Sequence, residues 1–160
     1  MQLTLNTIKT DKEEVAQQAV EFWSTLCDEE MLIMEEIAEH TSFNMPPPRE
    51  CKFYIKAAVK FLVPVLTEAM TKQEDDADPE DWNLAMAAGS CLNLCANTVE
   101  DEIVPHVMPF IQHNIHSNDW KFKEAALFAF GSIMEGPMTY IRTVIPNTIP
   151  FMLTTLKDAS

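Results

Sequence analysis

Two stretches of this chain repeat each other at a fixed distance, and that periodicity limits the fold more than any other feature. Ile103-Val-Pro-His-Val-Met-Pro109-Phe-Ile and Val144-Ile-Pro-Asn-Thr-Ile-Pro150-Phe-Met each carry two prolines four residues apart. Pro105 to Pro146 and Pro109 to Pro150 both span 41 residues, and a shorter copy, Phe61-Leu-Val-Pro64-Val-Leu, lies upstream. Behind each proline segment comes an acidic turn and then an alanine-rich run. Asn118-Asp119-Trp120 leads into Lys123 through Gly131, and Glu80-Asp81-Trp82 leads into Met86 through Leu92. Asp158-Ala-Ser160 looks like the next such turn, so Asp81, Asp119 and Asp158 stand 38 and 39 residues apart. Apolar residues recur at i, i+3 and i+4, strand-type alternation is nearly absent, and the 160 residues include only three glycines. The expected fold is all-α.

A period of about 40 residues built from two helices is the signature of HEAT or armadillo solenoids. The expected architecture is an α-α superhelix, a right-handed stack of antiparallel helix pairs. The residue types at the repeating positions have physical reasons. Aspartate ahead of the second (B) helix supplies an N-cap oxygen and complements the helix dipole. Ala87, Ala88, Ala125 and Ala126, with Gly89 and Gly131, keep the B helices thin so that neighbours approach closely. Prolines inside the first (A) helix bend it, in keeping with a curved stack.

The helix map places an outer A helix at 1–9 and its inner B partner at 12–27, with a second helical piece at 29–40. A loop from Thr41 to Arg49 holds Pro46, Pro47 and Pro48. One full pair is read at 50–72 and 82–98, another at 101–117 and 120–135, and a further A helix at 138–157. Gly136-Pro137 is read as the C-cap glycine and stop of the helix before it. Grouped as pairs, the units are 1–40, 50–98, 101–135 and 138–160, a single array of about four repeats with incomplete ends. Such a chain reads as a piece of a longer superhelix.

Eleven Lys and Arg stand against 25 Asp and Glu, a formal net charge of −14. That balance excludes general affinity for nucleic-acid backbones or anionic lipid surfaces. Residues 1–100 hold nineteen acids and seven bases, whereas 101–160 hold six and four. No apolar run approaches the ~20 residues of a membrane span, and the N-terminus lacks a signal-peptide pattern. Cys27, Cys51, Cys91 and Cys95 fall inside helical stretches without CxxC spacing. They are expected as buried free thiols of a reducing compartment, cytosol or nucleus.

The sharpest local feature is the acidic tract before Trp82. Glu74, Asp75, Asp76, Asp78, Glu80 and Asp81 supply six carboxylates and no base, lengthening one A-to-B turn by roughly seven residues relative to the Pro109–Asp119 repeat. A charge run is ordinarily a solvated loop. An EF-hand fails, because Asp81 occupies the glycine position of the calcium loop and Ala87 the bidentate glutamate position. Location at a single joint favours docking of a basic partner, through a summed field that speeds encounter and weakens with salt.

Trp82 directly follows the tract, and its indole suits clamping of Lys or Arg stems. Asn83 beside it suits holding a partner backbone. Trp120, at the same place in the next pair, is read equally as core or contact, and Trp23 as core. Asp28, Glu29 and Glu30, with Glu35 and Glu36, form a second acidic cluster, read equally as helix N-terminal charge compensation or as binding. His106, His113 and His116 share an A helix, but no third ligand of suitable spacing completes a zinc site, so surface histidines are expected. No GxSxG, Gly-rich phosphate loop, HExxH or kinase signature is present, and a non-enzymatic binding scaffold without cofactor or metal is the expectation.

The repeat-bearing residues also carry a family resemblance. Val20 through Met31, Lys52-Phe-Tyr-x-Lys56, Leu62 through Thr67, Leu66 through Gln73 with its acidic tract, Asp81-Trp82-Asn83, Glu102 through Ile111 and Asn118 through Gly131 resemble the importin-β (karyopherin-β1) family over nearly all 160 residues. The resemblance implies a nuclear transport receptor of cytoplasm, nucleus and nuclear pore. Its concave face would wrap the basic importin-β-binding segment of importin α or other basic cargo, with RanGTP releasing it. It also implies that Glu74–Asp81 is the family's acidic loop, near adaptor and Ran, and that Trp82 is its inner-face tryptophan. Phe-Gly nucleoporins would bind between outer helices, helix 50–72 among them. Neither nucleic acid nor membrane is implied as a direct partner. The tract is interrupted by Ala77 and Pro79, and nothing transfers to Thr41–Arg49. The alternative is a HEAT scaffold subunit organising another complex.

Overall fold

The computed structural model describes residues 1–73 and 82–143. These fold into helices α1 (Gln2–Thr10), α2 (Glu13–Ser42), α3 (Tyr54–Ala69), α4 (Leu84–Val99), α5 (Val104–Asn114) and α6 (Trp120–Ser132), with a 3-10 turn at Glu100–Ile103 before α5. Residues 138–143 are helical as well. Each helix packs on its chain neighbour within the pairs α1–α2, α3–α4 and α5–α6. Across pairs, α1, α3 and α5 form one layer while α2, α4 and α6 form the other, the broadest packing being α2 on α4. The result is the all-α, two-layer array of helix pairs that the repeat period requires.

One hydrophobic core runs without interruption from Ile8 in α1 to Ile133 after α6. Ile55, Leu62, Leu66 and Met70 line it from the α3 side, and Leu92, Ile103 and Val107 continue it, all fully buried. No pair has a core of its own, so each depends on its neighbours for burial, as in other stacked repeats.

Several boundaries differ from the sequence reading, each for a local reason. Residues 12–27 and 29–40 are not two pieces but the single 30-residue helix α2. The acids at 28–30 suggested a new start, yet neither Gly nor Pro lies between Glu13 and Ser42 to interrupt the ladder. Its buried positions run from Ala16 to Glu30, so the first half is packed and the last turns project beyond the core. Pro105 sits in the first turn of α5 and initiates it rather than bending it, whereas Pro64 and Pro109 lie inside helices.

Glycine roles also shift. The helix before Gly136 ends at Ser132, and no described glycine has a positive φ, so Gly136 is not a C-cap. It is needed for close approach: a Cβ there would lie 2.2 Å from the Ala96 carbonyl oxygen. At Gly89 a Cβ would meet the Phe128 ring at 2.3 Å, in line with the expected thinness of α4. Gly131 faces open space and does not serve packing.

Side-chain carboxylates from one element satisfy the N-termini of others. Asp101 in the 3-10 turn accepts the Tyr140 N–H at 3.0 Å, at the start of the helical stretch 138–143. That bond, with further help from the Thr139 hydroxyl and N–H, holds the Asp101 carboxyl below its ordinary value despite an opposing effect of burial. A carboxylate with a lowered value stabilises the fold above its unfolded-state value, about 3.9, and the contribution fades as pH falls through the folded-state value.

Two outcomes are expected. In urea unfolding, Gly136→Ala should destabilise by about 1–3 kcal/mol through overpacking against backbone, while Gly131→Ala should stabilise by up to about 1 kcal/mol because only helix propensity changes. In acid titrations followed by circular dichroism, Asp101→Asn should make stability less dependent on pH at the acid end, with no change near neutrality in that dependence.

Candidate functional site

Burial divides the acids of α2 into two groups. Positions Ala16, Ala19, Val20, Trp23, Ser24, Cys27 and Glu30 face the core. On the opposite side, Glu14, Glu21, Asp28 and Glu35 recur every seven residues and are all exposed. A seven-residue step advances about 10.5 Å along a helix with a drift of only about 20°. The four therefore form one carboxylate ridge along α2. Glu29, also exposed, flanks it, and its carboxylate lies 3.7 Å from Arg49, which forks onto Glu36 through Nε (2.9 Å) and Nη2 (2.8 Å). This ion pair lowers the Glu36 carboxyl below its usual range and folds the loop carrying Pro46–Pro48 back onto α2.

Glu30 is the correction within the acidic cluster. It is 3% exposed, and its two carboxylate oxygens accept the N–H groups of Tyr54 and Ile55, the latter at 3.1 Å. Helix α3 needs this, because its N-cap is Phe53, a left-handed residue (φ 54°) with no side chain able to cap. Glu30 is thus a cap supplied from α2, and it is unavailable to a partner. Of the three adjacent acids, only Asp28 and Glu29 face solvent.

Trp82 and Asn83 stand at the amino end of α4, in the same layer as the ridge. Trp82 is 58% exposed. Asn83 is the N-cap of α4, its Oδ1 accepting the Met86 N–H at 3.0 Å, so its carboxamide oxygen serves the helix. Leu84, the next residue, gives its N–H to Glu13 Oε1 of α2 at 3.0 Å. The preceding carboxylates, Glu74, Asp75, Asp76, Asp78, Glu80 and Asp81, lie outside the described residues.

Trp120 opens α6 and is 51% exposed, so it is not core. Its ring already carries a cation from its own chain, Lys121 Nζ at 5.6 Å from the centroid. Asp119 caps the same turn by accepting the Lys121 N–H at 3.0 Å. Trp23 is buried and packs edge-on against Phe22 at 5.4 Å. Phe22, by contrast, is 52% exposed beside the ridge.

The remaining candidates are quieter. Cys27, Cys51, Cys91 and Cys95 are buried free thiols. Cys27 and Cys95 meet at 3.7 Å between α2 and α4, and contact with Cys27 and Cys91 together with burial pushes the Cys95 thiol up, keeping it protonated. His113 and His116 are exposed, and the described residues contain no grouping of three His, Cys, Asp or Glu able to hold a metal ion. On the other layer, a groove between α1 and α3 is lined by Leu5, Asn6, Phe61, Pro64 and Val65, with Lys9 and Lys60 at its edge.

No protein-family model matches the chain. Among curated proteins it is 45% identical over 159 residues to importin subunit beta-1 of Arabidopsis thaliana and 38% identical over 159 residues to that of Saccharomyces cerevisiae, with 98% and 99% of the chain covered. It spans 18% of the length of each of these relatives. Among solved structures, importin beta crystallised from polyethylene glycol matches with a TM-score of 0.88 at 37% identity, over 99% of this chain and 19% of that one. Kap95p bound to RanGDP matches at 0.80 with 36% identity, and the Kap95:Nup1 complex at 0.81 with 37% identity, each over 91% of this chain and 17% of that one.

Glu30→Ala leaves two N–H groups of α3 unpaired and should destabilise the fold by about 1–3 kcal/mol in urea unfolding. Asp28→Asn and Glu29→Gln, both on exposed carboxylates, should leave the unfolding midpoint nearly unchanged.

Proposed function

Because the chain belongs to the importin-β family over nearly its whole length, we propose that it is part of a nuclear import receptor that recognises a Lys/Arg-rich helix on its B-helix face. One observation carries the reading. An exposed indole, Trp82, directly follows six carboxylates in sequence and stands in the same helix layer as the exposed ridge Glu14–Glu21–Asp28–Glu35. A basic helix laid along such a face finds charge along its length and an aromatic plane for one of its cationic stems. Summed carboxylates raise the encounter rate, and the aromatic contact slows departure.

The basic segment of importin α, and basic cargo directly, are the ligands of this chemistry. RanGTP is the releasing partner, a reading supported by the similarity to Kap95p, which binds Ran. Trp120, with Lys121 over its ring, takes a secondary part in this face. On the A-helix side, the groove between α1 and α3 is the place for a nucleoporin phenylalanine. Phe61, 46% exposed, lies in it beside Pro64 and Val65, and the similarity to the Kap95:Nup1 complex supports that assignment. Residence in cytoplasm, nucleus and pore follows from such a function. No step of it requires covalent chemistry.

Titration of a Lys/Arg-rich helical peptide tests the reading. Replacing Glu74, Asp75, Asp76, Asp78, Glu80 and Asp81 by Asn or Gln should weaken binding about tenfold or more at low salt and flatten its salt dependence. Trp82→Ala should cost about 2 kcal/mol or more, as an interface anchor does, with the salt dependence kept. Unchanged affinity in the six-residue variant would remove the role assigned to the tract.

A further inference from the structure

Both chain ends that flank residues 74–81 are fastened to a single short turn of the preceding helix pair. On the incoming side, Lys72 Nζ donates to the carbonyl oxygens of Lys9 at 2.8 Å and Ile8 at 3.5 Å, at the open carboxyl end of α1. A cation there satisfies orphan carbonyls and meets the negative end of the helix dipole. Lys9 itself pairs with Glu68, in the last turn of α3, at 3.2 Å. On the outgoing side, Glu13 at the first position of α2 accepts the Leu84 N–H at the first position of α4. The same Glu13 oxygen accepts from Gln17 Nε2 at 3.1 Å, which holds the carboxylate in place.

Asn83 satisfies Met86 but not Leu84, and the Leu84 donor is taken by a residue 71 positions earlier. Trp82 is two residues from that pinned amide. Lys9, Glu13, Glu68 and Lys72 are all exposed, and exposed polar contacts contribute little to global stability. Their effect is directional: the apolar core stacks the pairs, and these contacts set how the backbone leaves them.

We propose that Glu13 and Lys72 are positioning residues for Trp82. They fix the direction in which the indole leaves the α3–α4 pair, so that a basic helix meets it in one orientation. The inference rests on the basic-helix reading of this face.

Binding kinetics of a Lys/Arg-rich helical peptide separate position from charge. Glu13→Ala should speed dissociation about three- to tenfold, the worth of one oriented hydrogen bond. Glu13→Gln loses the same charge but keeps an acceptor for the Leu84 N–H, and should restore the wild-type dissociation rate. Lys72→Met makes the face more acidic, so charge alone predicts tighter binding, whereas positioning predicts faster dissociation. Equal dissociation rates in Glu13→Ala and Glu13→Gln, or tighter binding in Lys72→Met, would overturn the proposal.

Two measurements need no peptide. Hydrogen exchange at the Leu84 amide, and acrylamide quenching of Trp82 read as the difference from Trp82→Phe, should both increase in folded Glu13→Ala and return in Glu13→Gln. No increase in Glu13→Ala would overturn the proposal as well. Failure of the wild-type chain to bind the peptide would instead remove the basic-helix reading, leaving exchange and quenching to decide the positioning role.

Discussion

The structure depends first on how closely α2 can lie against α4. Small side chains recur among the buried residues on the two sides of that packing: Ala16, Ala19, Ser24 and Cys27 in α2, and Ala88, Cys91, Cys95 and Ala96 in α4. The thiols of Cys27 and Cys95 meet at 3.7 Å across it. The same thinness continues outward, with Gly89 against the Phe128 ring and Gly136 against the Ala96 backbone. Close approach lets one core run through every pair, and it leaves the outer side of the layer free to carry charge. A bulkier seam would separate α2 from α4, and with them the carboxylate ridge from Trp82.

A chain with a net charge of −14 must place many carboxylates, and this one uses them in two ways. Glu30, Glu13 and Asp101 each accept backbone N–H groups at the start of another helix. There an acid complements the helix dipole and satisfies donors that the helix itself cannot. Glu14, Glu21, Asp28 and Glu35 meet water along one side of α2 and carry the field that a basic partner would feel. The same residue type thus serves helix ends and the charged outer face. Two chain-adjacent acids, Glu29 and Glu30, fall on opposite sides of that division because successive helix residues lie about 100° apart.

Much of this was legible in sequence. The spacing of about 40 residues between proline segments and acidic turns dictated helix pairs, and Asp119 caps α6 as its position before Trp120 implied. Trp23, read as core, is buried. Other assignments were out of reach. The continuity of α2 was hidden by a local acidic run that resembled a helix start. The role of Gly136 was misplaced, because a glycine before proline suggests a stop, whereas its real constraint is the Ala96 carbonyl 40 residues earlier in the chain.

What the sequence determined by itself is the kind of object this chain is: an all-helical, acidic array of repeated pairs, with one joint singled out by six carboxylates and a tryptophan. Local periodicity and capping chemistry suffice for that, since they act within a few residues. What only the tertiary structure decided is which acids are spent on helix ends and which face outward, and that Lys72 and Leu84 are held at the same α1–α2 turn from the two sides of residues 74–81. Those facts depend on contacts between residues 24 to 71 positions apart. No local pattern encodes such contacts, because they exist only once the packing of α2 on α4 has brought neighbouring pairs together.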